Sequence, residues 1–478
     1  MVESDDKPSY GREWEHGPRE ACGVFGIYAP GEDVARLTFY GLFALQHRGQ
    51  ESAGIATSSG GTIHIHTGMG LAAQVFDEPT LGRLQGNMSI GHTRYSTTGS
   101  SRLINAQPLL ANGPAGSVAV AHNGNLVNST NLRHELEDVG VRFATSTDTE
   151  AIAQALVRAP GATWLERIAA TMRRMRGSYS LAILTPDALY AVRDPIGNRP
   201  LCVGKVRDGW VVASESCALD LIGAQFLREI EPGEILQIDD QGVTSVQAET
   251  APRSAFCIFE YTYIARPDSV LHRQLVYTAR QEMGAQLARE HPVEADLVIG
   301  VPDTARAAGL GYAQEAGIPY AEGLVQNRYV GRTFINPDQN LREAGVRVKF
   351  NPLPEVIRGK RLVVVDDSIV RGTTTSHVVS LLRQAGAREV HMRITTPAII
   401  HPCYYGVDMA THSELIAARL EVSEVSRFIG ADSLAYLSLD GLIRSIGLPE
   451  DRLCTACLTG DYPIPVQLEL SKLALEVS

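Results

Sequence analysis

The sequence predicts two architectures in series: an α+β first half and an α/β second half built on a parallel sheet. Three observations carry this. Through residues 22–252, short strand-like and helical stretches are mixed without a strict strand–helix–strand rhythm. From residue 253 onward, apolar strand-like runs alternate with helical patterns, the signature of parallel strands joined by crossover helices. Within that second half, Leu362-Val363-Val364-Val365 is unbroken apolar sequence, as a strand buried on both faces requires.

The length of 478 residues suits two or three domains at about 100–200 residues each. Hydrophobic residues at 44% and charged residues at 20% fit a folded globular chain. A net charge of −11, with no strongly basic segment, argues against a nucleic-acid partner. No apolar run approaches the ~20 residues needed to span a membrane. Residues 1–21 are polar and charged and lack the apolar core of a secretory signal. The seven cysteines are therefore read in a reducing, cytoplasmic setting, where catalytic, metal-binding or buried thiols outnumber disulfides.

In the first half, Cys22 opens an apolar strand-like run. A helix is expected over 34–45 with Asp33 as its N-cap. The run Gln46-His47-Arg48-Gly49 leads into a second strand, and alternation continues over 62–67. Three polar clusters follow: Gly91-His92-Thr93-Arg94, His122-Asn123-Gly124-Asn125 and Ser146-Thr147-Asp148-Thr149-Glu150. Each has an ordinary reading when taken singly. Asn-Gly is a hairpin turn, the Ser/Thr/Asp run is a helix cap, and a lone Cys beside Gly is a small core residue.

The second half begins where composition turns polar, over 249–254. A helix is expected over 274–289, a strand and loop over 296–306, and a strand over 389–396. Parallel strands present ligands at their C-terminal ends, so the loops 301–306 and 366–375 should open on one edge. After the valine run come Asp366-Asp367-Ser368, then Arg371-Gly372-Thr373-Thr374-Thr375. Val378, Val379, Leu381 and Leu382 then recur at helical spacing, and Gly386 is placed to end the helix. Loop N–H groups, Thr hydroxyls and a helix N-terminus suit a phosphate. Two carboxylates beside a phosphate make sense if the ligand also carries hydroxyls or a hard cation such as Mg²⁺. The stretch 326–351 holds Arg328, Arg332, Arg342, Arg347 and Lys349 and reads as a basic lid over a polyanion, or more simply as a solvated loop.

Cys454 and Cys457 form a C-x-x-C, with Cys257 and Cys403 as distant singles. That spacing permits a redox pair, a Cys₄ zinc site or an iron–sulfur cluster. No thioredoxin-like context surrounds Cys454, which weakens the redox reading. Cys202 and Cys217 read as core thiols.

The ordered set of Cys22-Gly23, Gln-His-Arg-Gly, His-Thr-Arg, His-Asn-Gly, Ser-Thr-Asp-Thr-Glu and 193–200 (Arg-Asp-Pro-Ile-Gly-Asn-Arg-Pro) resembles the glutaminase half of class II glutamine amidotransferases. The stretch 362–375 resembles the 5-phosphoribosyl 1-pyrophosphate (PRPP) motif of type I phosphoribosyltransferases. Together they resemble the iron–sulfur, propeptide-bearing branch of the PRPP amidotransferases, over Cys22 to about Gly460.

The resemblance implies a propeptide at 1–21 and an N-terminal-nucleophile hydrolase domain of four αββα layers over 22–252. A phosphoribosyltransferase domain over 253–460 and a tail over 461–478 would follow. It implies that ammonia cut from glutamine displaces pyrophosphate from C1 of PRPP, the first step of purine synthesis. Breaking the amide takes a nucleophile, a base and oxyanion donors. If the chain is cut before Cys22, its α-amine, with a pKa of about 7.7–8.0, can be the base.

By the same resemblance Asn123 and Gly124 form the oxyanion hole, Arg94 takes the glutamine carboxylate and Asp148 its ammonium. Asp366 and Asp367 hold the ribose hydroxyls and, with Thr304, Mg²⁺. The family more often has Ser at the position of Thr304. Ser368, Arg371, Gly372, Thr373, Thr374 and Thr375 hold the 5-phosphate, and Cys257, Cys403, Cys454 and Cys457 a 4Fe–4S cluster. A homotetramer inhibited by purine nucleotides is implied too. Two rival readings are a PRPP-binding regulator and another class II amidotransferase, such as a hexosamine-forming one. The first leaves the Cys/Arg/Asn-Gly/Asp set without use, and the 362–375 stretch argues against the second.

Overall fold

The strand Gly23–Tyr28 is apolar on both sides, and period-two alternation sends its two faces to different neighbours. Val24 points to a second sheet, while Phe25 and Ile27 point to helices. This strand lies within a seven-stranded antiparallel sheet, between Gly209–Ala213 and Met88–Arg94. The facing sheet has six antiparallel strands, with Gly116–Leu126 and Gly177–Leu184 paired within it. Val24, Ile90, Ala121, Ala182 and Leu189 fill the space between the sheets. Helices Val34–Ala44 and Ser216–Leu221 cover the outside of the first sheet. Helices Ser129–Asp138, Asp148–Leu156 and Trp164–Met172 cover the second, completing four αββα layers.

The structure, a computed structural model, describes residues 22–95, 100–327, 350–407, 409 and 411–466. The expected propeptide 1–21, nearly all of the basic stretch 326–351 and the end 467–478 lie outside the described residues.

The second half carries a four-stranded parallel sheet in the order Leu297–Gly300, Arg361–Asp366, Glu389–Ile394, Ser433–Tyr436. Leu362 to Val365 are each 0% exposed, which explains the unbroken apolar run. Gly300 pairs with Val365 in parallel register, so the loops after both strands open on the same edge.

The expected helix at Asp33 is present as Val34–Ala44, and the Asp33 carboxylate accepts the Arg36 N–H at 3.0 Å. Three local readings differ. Asn123-Gly124 is no turn: it lies inside the strand Gly116–Leu126, opposite Ser180 and Tyr179, because burial of that strand overrides the turn preference. The helix expected over 274–289 is Val276–Glu290, since Gln274–Leu275 pairs with Val270–Leu271 as a hairpin. Thr373, Thr374 and Thr375 do not extend the loop but form the first turn of the helix Thr373–Gln384.

Candidate functional site

Cys22 stands just before the first strand, where Gly23 pairs with Thr93, and Arg94 pairs with Ser52 one strand further on. Three adjacent strand ends thus bring Cys22, Glu51, Arg94 and Tyr95 together. Cys22 is buried, and its thiol donates to the Tyr95 carbonyl at 3.2 Å. Arg94 lies 3.6 Å from Glu51 and donates to the Ser100 carbonyl at 3.2 Å. The second sheet is tied beneath this end by His92, whose Nε2–H donates to the His122 carbonyl at 3.0 Å. Burial pushes His92 down to about 3, so the ring is a neutral tie at physiological pH.

Asn123, next along that strand, is 0% exposed, and both its side-chain nitrogen and oxygen lack a hydrogen-bond partner. Leaving a buried polar group unpaired costs about 1–3 kcal/mol unless a water or ligand meets it, and the Asn123 amide has no protein partner. Gly124 has φ +146°, and a Cβ there would lie 2.1 Å from the Ser178 carbonyl oxygen, so only glycine fits. Asp148 begins a helix, accepts the Leu126 N–H at 3.0 Å and faces His122 at 3.5 Å. Burial alone would raise its pKa, but His122 and the backbone N–H groups of Leu126 and Thr149 outweigh that and hold the carboxyl below its ordinary range. Cys22 goes the other way. Burial pushes its thiol up to about 11, helped by Glu51 and Asp148 and opposed by Tyr95 and Arg94. At neutral pH the group is a thiol, and attack requires a base.

At the parallel-sheet edge, both oxygens of Asp367 accept hydroxyls: Thr304 to Oδ1 and Ser368 to Oδ2, each at 2.6 Å. Asp366 Oδ1 accepts the Asp367 N–H at 3.0 Å. Burial raises the Asp367 carboxyl, against the two hydroxyls and the nearby Arg280. A cation would favour the charged form. The donor set is all oxygen and carries two carboxylates, which suits Mg²⁺, an ion that keeps several waters of its own. The Thr396 hydroxyl and N–H both bond the Asp367 carbonyl, at 2.8 and 3.1 Å, fixing the turn that carries the acid pair. The first turn of the helix Thr373–Gln384, whose N-cap Gly372 makes no side-chain cap bond, lies at the same edge. Arg371 is turned to Glu414 at 3.0 Å.

The four expected ligand cysteines also meet. Phe256–Cys257 and Leu453–Cys454 pair in parallel, with Cys257 opposite Cys454. Cys257, Cys403, Cys454 and Cys457 line one small cavity of about 10 Å³ together with Asn198 and Tyr405. Burial and the neighbouring thiols push Cys454 and Cys457 far above the ordinary thiol range, so a metal must displace protons to bind. Among the described residues no three His, Cys, Asp or Glu side chains converge tightly enough to grip a single ion. Four cysteine thiols lining one cavity are a donor set that fits an iron–sulfur cluster.

A model described as "Glutamine amidotransferase domain" matches residues 92–221. The amidophosphoribosyltransferase of Synechococcus elongatus is 52% identical, over 96% of this chain and 95% of its own length. The chain belongs to the amidophosphoribosyltransferase family. The amidophosphoribosyltransferase of Archaeoglobus fulgidus, also 52% identical, spans 93% of this chain and 98% of its own. Among solved structures, the glutamine PRPP amidotransferase from B. subtilis complexed with ADP and GMP is similar at a TM-score of 0.89 and 46% identity, over 94% of this chain and 99% of its own.

As an amidophosphoribosyltransferase, the chain moves glutamine-derived ammonia to C1 of PRPP, releasing glutamate and pyrophosphate, the first step of purine biosynthesis. The two rival readings fall with that assignment. Sequence reasoning passed over Glu51, His122 and Arg280, each of which faces a predicted site residue. His122 stands inside the quoted His-Asn-Gly motif and Glu51 just after the Gln-His-Arg-Gly run, but neither was given a role. The Gln-His-Arg-Gly run also joins the halves of this amidophosphoribosyltransferase: Arg48, fully buried, bonds Glu215 in the first and Glu260 in the second.

Proposed function

We propose that removal of residues 1–21 frees the α-amine of Cys22, which then serves as base for its own thiol. The sulfur attacks the glutamine amide carbon, the amine passes the proton to the leaving nitrogen, and ammonia departs from a thioester. Water then releases glutamate. The observation that carries this reading is the buried, unpartnered amide of Asn123 beneath the nucleophile end. Asn123 and the Gly124 N–H take the oxyanion, Arg94 exchanges Glu51 for the glutamine carboxylate, and Asp148 holds the ammonium.

Ammonia passes internally and attacks C1 of PRPP as pyrophosphate leaves. Asp366 and Asp367 hold the ribose hydroxyls. With Thr304 they would also hold Mg²⁺, which supplies positive charge to the departing pyrophosphate. Residues 368–375 cradle the 5-phosphate. Cys257, Cys403, Cys454 and Cys457 would hold a 4Fe–4S cluster that cross-ties the second half. The ADP and GMP bound to the B. subtilis relative support inhibition by purine nucleotides here. We extend the reading to a cytoplasmic homotetramer.

The decisive experiment is Cys22→Ala, assayed with glutamine and with ammonia as nitrogen donor. Loss of the first with retention of the second supports the two-site scheme, and equal loss of both refutes it. Mass spectrometry of active protein finding residues 1–21 intact would exclude the α-amine base. A colourless, zinc-loaded protein on fresh purification would exclude the cluster.

A further inference from the structure

The run 193–200 plays no part in the chemistry above, yet Arg199 lies where the two halves meet. Its side chain is 0% exposed. Nε and Nη2 both donate to the Tyr405 carbonyl, at 3.1 and 2.8 Å, and Nη1 lies 3.3 Å from Glu260. The same carbonyl accepts the Ser178 hydroxyl at 2.5 Å. A carbonyl oxygen has two lone pairs, so three converging donors leave Tyr405 no freedom to turn.

The residues on either side of Tyr405 are tied as well. The Tyr404 carbonyl accepts the Asn125 side-chain N–H at 2.9 Å. Gly406, at φ +97°, comes so close that a Cβ on it would lie 2.9 Å from the Gly124 carbonyl carbon. Ser178 also closes on Gly124, where a Cβ would lie 2.1 Å from its carbonyl oxygen. Segment 404–406 therefore bonds or touches Gly124, Asn125 after it, and Ser178, which pairs with Asn125 across the strands. At the head of the same segment is Cys403, whose sulfur accepts the Tyr405 N–H at 3.4 Å and lines the thiol cavity.

We propose that residues 403–406 are a strap that sets the position of the Gly124 N–H, with Arg199 as its positioning residue, so that the state of the Cys403 thiol reaches the glutaminase step. The proposal rests on reading Asn123 and Gly124 as the oxyanion donors and Cys403 as a ligand. An oxyanion donor acts only within a narrow distance of the developing charge, and a shift of about 1 Å can cost ~10²-fold in rate. The strap holds that distance through its contacts with Gly124, Asn125 and Ser178. A loop serving only to join the halves had no need to saturate one carbonyl against the strand that carries the donors.

The test compares Ser178→Ala, Arg199→Met and Arg199→Lys in the full mature chain. kcat and KM are measured with glutamine and with ammonia, along with melting temperature and visible absorbance. Ser178→Ala and Arg199→Met should lower glutamine-driven kcat by about 10- to 100-fold, with the KM for glutamine little changed and ammonia-driven kcat retained. Arg199→Lys keeps the charge but lacks the planar fork, so it should not rescue the rate. Ser178→Ala removes one hydroxyl only, and it keeps the test alive if the Arg199 variants do not fold. Cys403→Ser should lower glutamine-driven kcat more than ammonia-driven kcat, together with loss of any visible band.

Parallel loss of both activities, or an unchanged glutamine-driven kcat, overturns the strap. Asn123→Ala separates the two ideas. If it spares glutamine-driven turnover, the oxyanion reading is wrong. If it abolishes turnover while Ser178→Ala and Arg199→Met are silent, only the strap is wrong.

Discussion

The two candidate sites of this chain are built in opposite ways. The nucleophile end sits on strands buried between two sheets, and its donor amide, Asn123, has no partner. The acceptor end sits on turns at a sheet edge, and its carboxylate, Asp367, is already matched by two hydroxyls and loosely countered by Arg280. The first site carries the cost of its ligand's absence in advance, as preorganisation demands. The second satisfies itself while waiting and must exchange partners when a substrate arrives. The lesson is about what each must resist. A site that cuts an amide needs donors fixed before charge develops. A site that takes a large, hydrated polyanion can afford to rearrange around it.

Breaking the first kind of site should have the larger effect. Asn123→Ala is expected to lower glutamine-driven kcat by ~10²–10³-fold, the usual result of removing one oxyanion donor. Because the amide is unpaired, the melting temperature should not fall, and a large drop would mean that Asn123 is structural.

At the acceptor site, Thr304→Val removes the hydroxyl proposed to help hold Mg²⁺ beside Asp367, so the KM for PRPP should rise roughly tenfold, about 1.4 kcal/mol of binding. Thr304→Ser restores the hydroxyl and should be near normal. Equal effects from both variants would show that the methyl group, not the hydroxyl, matters.

Alkylation of Cys22 by iodoacetamide in the leader-bearing chain should be slow at neutral pH. Its pKa lies near 11, so the thiolate fraction grows about tenfold per pH unit below that value. A plateau near pH 8 would contradict the buried, protonated thiol.

The smallest effect expected is in hydrogen exchange. Added Mg²⁺ and PRPP should slow exchange in 301–305 and 367–372, while the strand Gly116–Leu126 stays as protected as before. Slowing confined to that strand would reverse the comparison.

Legibility in the sequence followed the same division. The acceptor end was readable because a buried parallel strand needs an unbroken apolar run, and the loop after it must carry the chemistry. Leu362 to Asp367 sit as that logic requires, and Thr304 meets Asp367 as the shared-edge argument expected. The nucleophile end could not be read that way. Asn123-Gly124 looks locally like a hairpin turn, and only cross-strand pairing with Ser180 and Tyr179 makes it strand. Its function came through resemblance to a family, not through periodicity. Glu51, Arg280 and the Arg48–Glu260 tie were hidden for a different reason. A buried ion pair between distant segments leaves no local pattern, since each charged residue alone reads as a solvated one.

The register that sets Cys257 opposite Cys454 has a consequence for biosynthesis. These residues stand at opposite ends of the second half, so their two short strands join the first segment of that half to the last. During synthesis the ribosome must deliver nearly the whole chain before Cys454 and Cys457 can meet Cys257. The thiol cavity is therefore among the last parts to be completed, and pairing of such distant segments is slow. Until it closes, Cys257 and Cys403 wait as reduced, unpartnered thiols. A chain that ends before Cys454 would lack two of the four thiols that line the cavity.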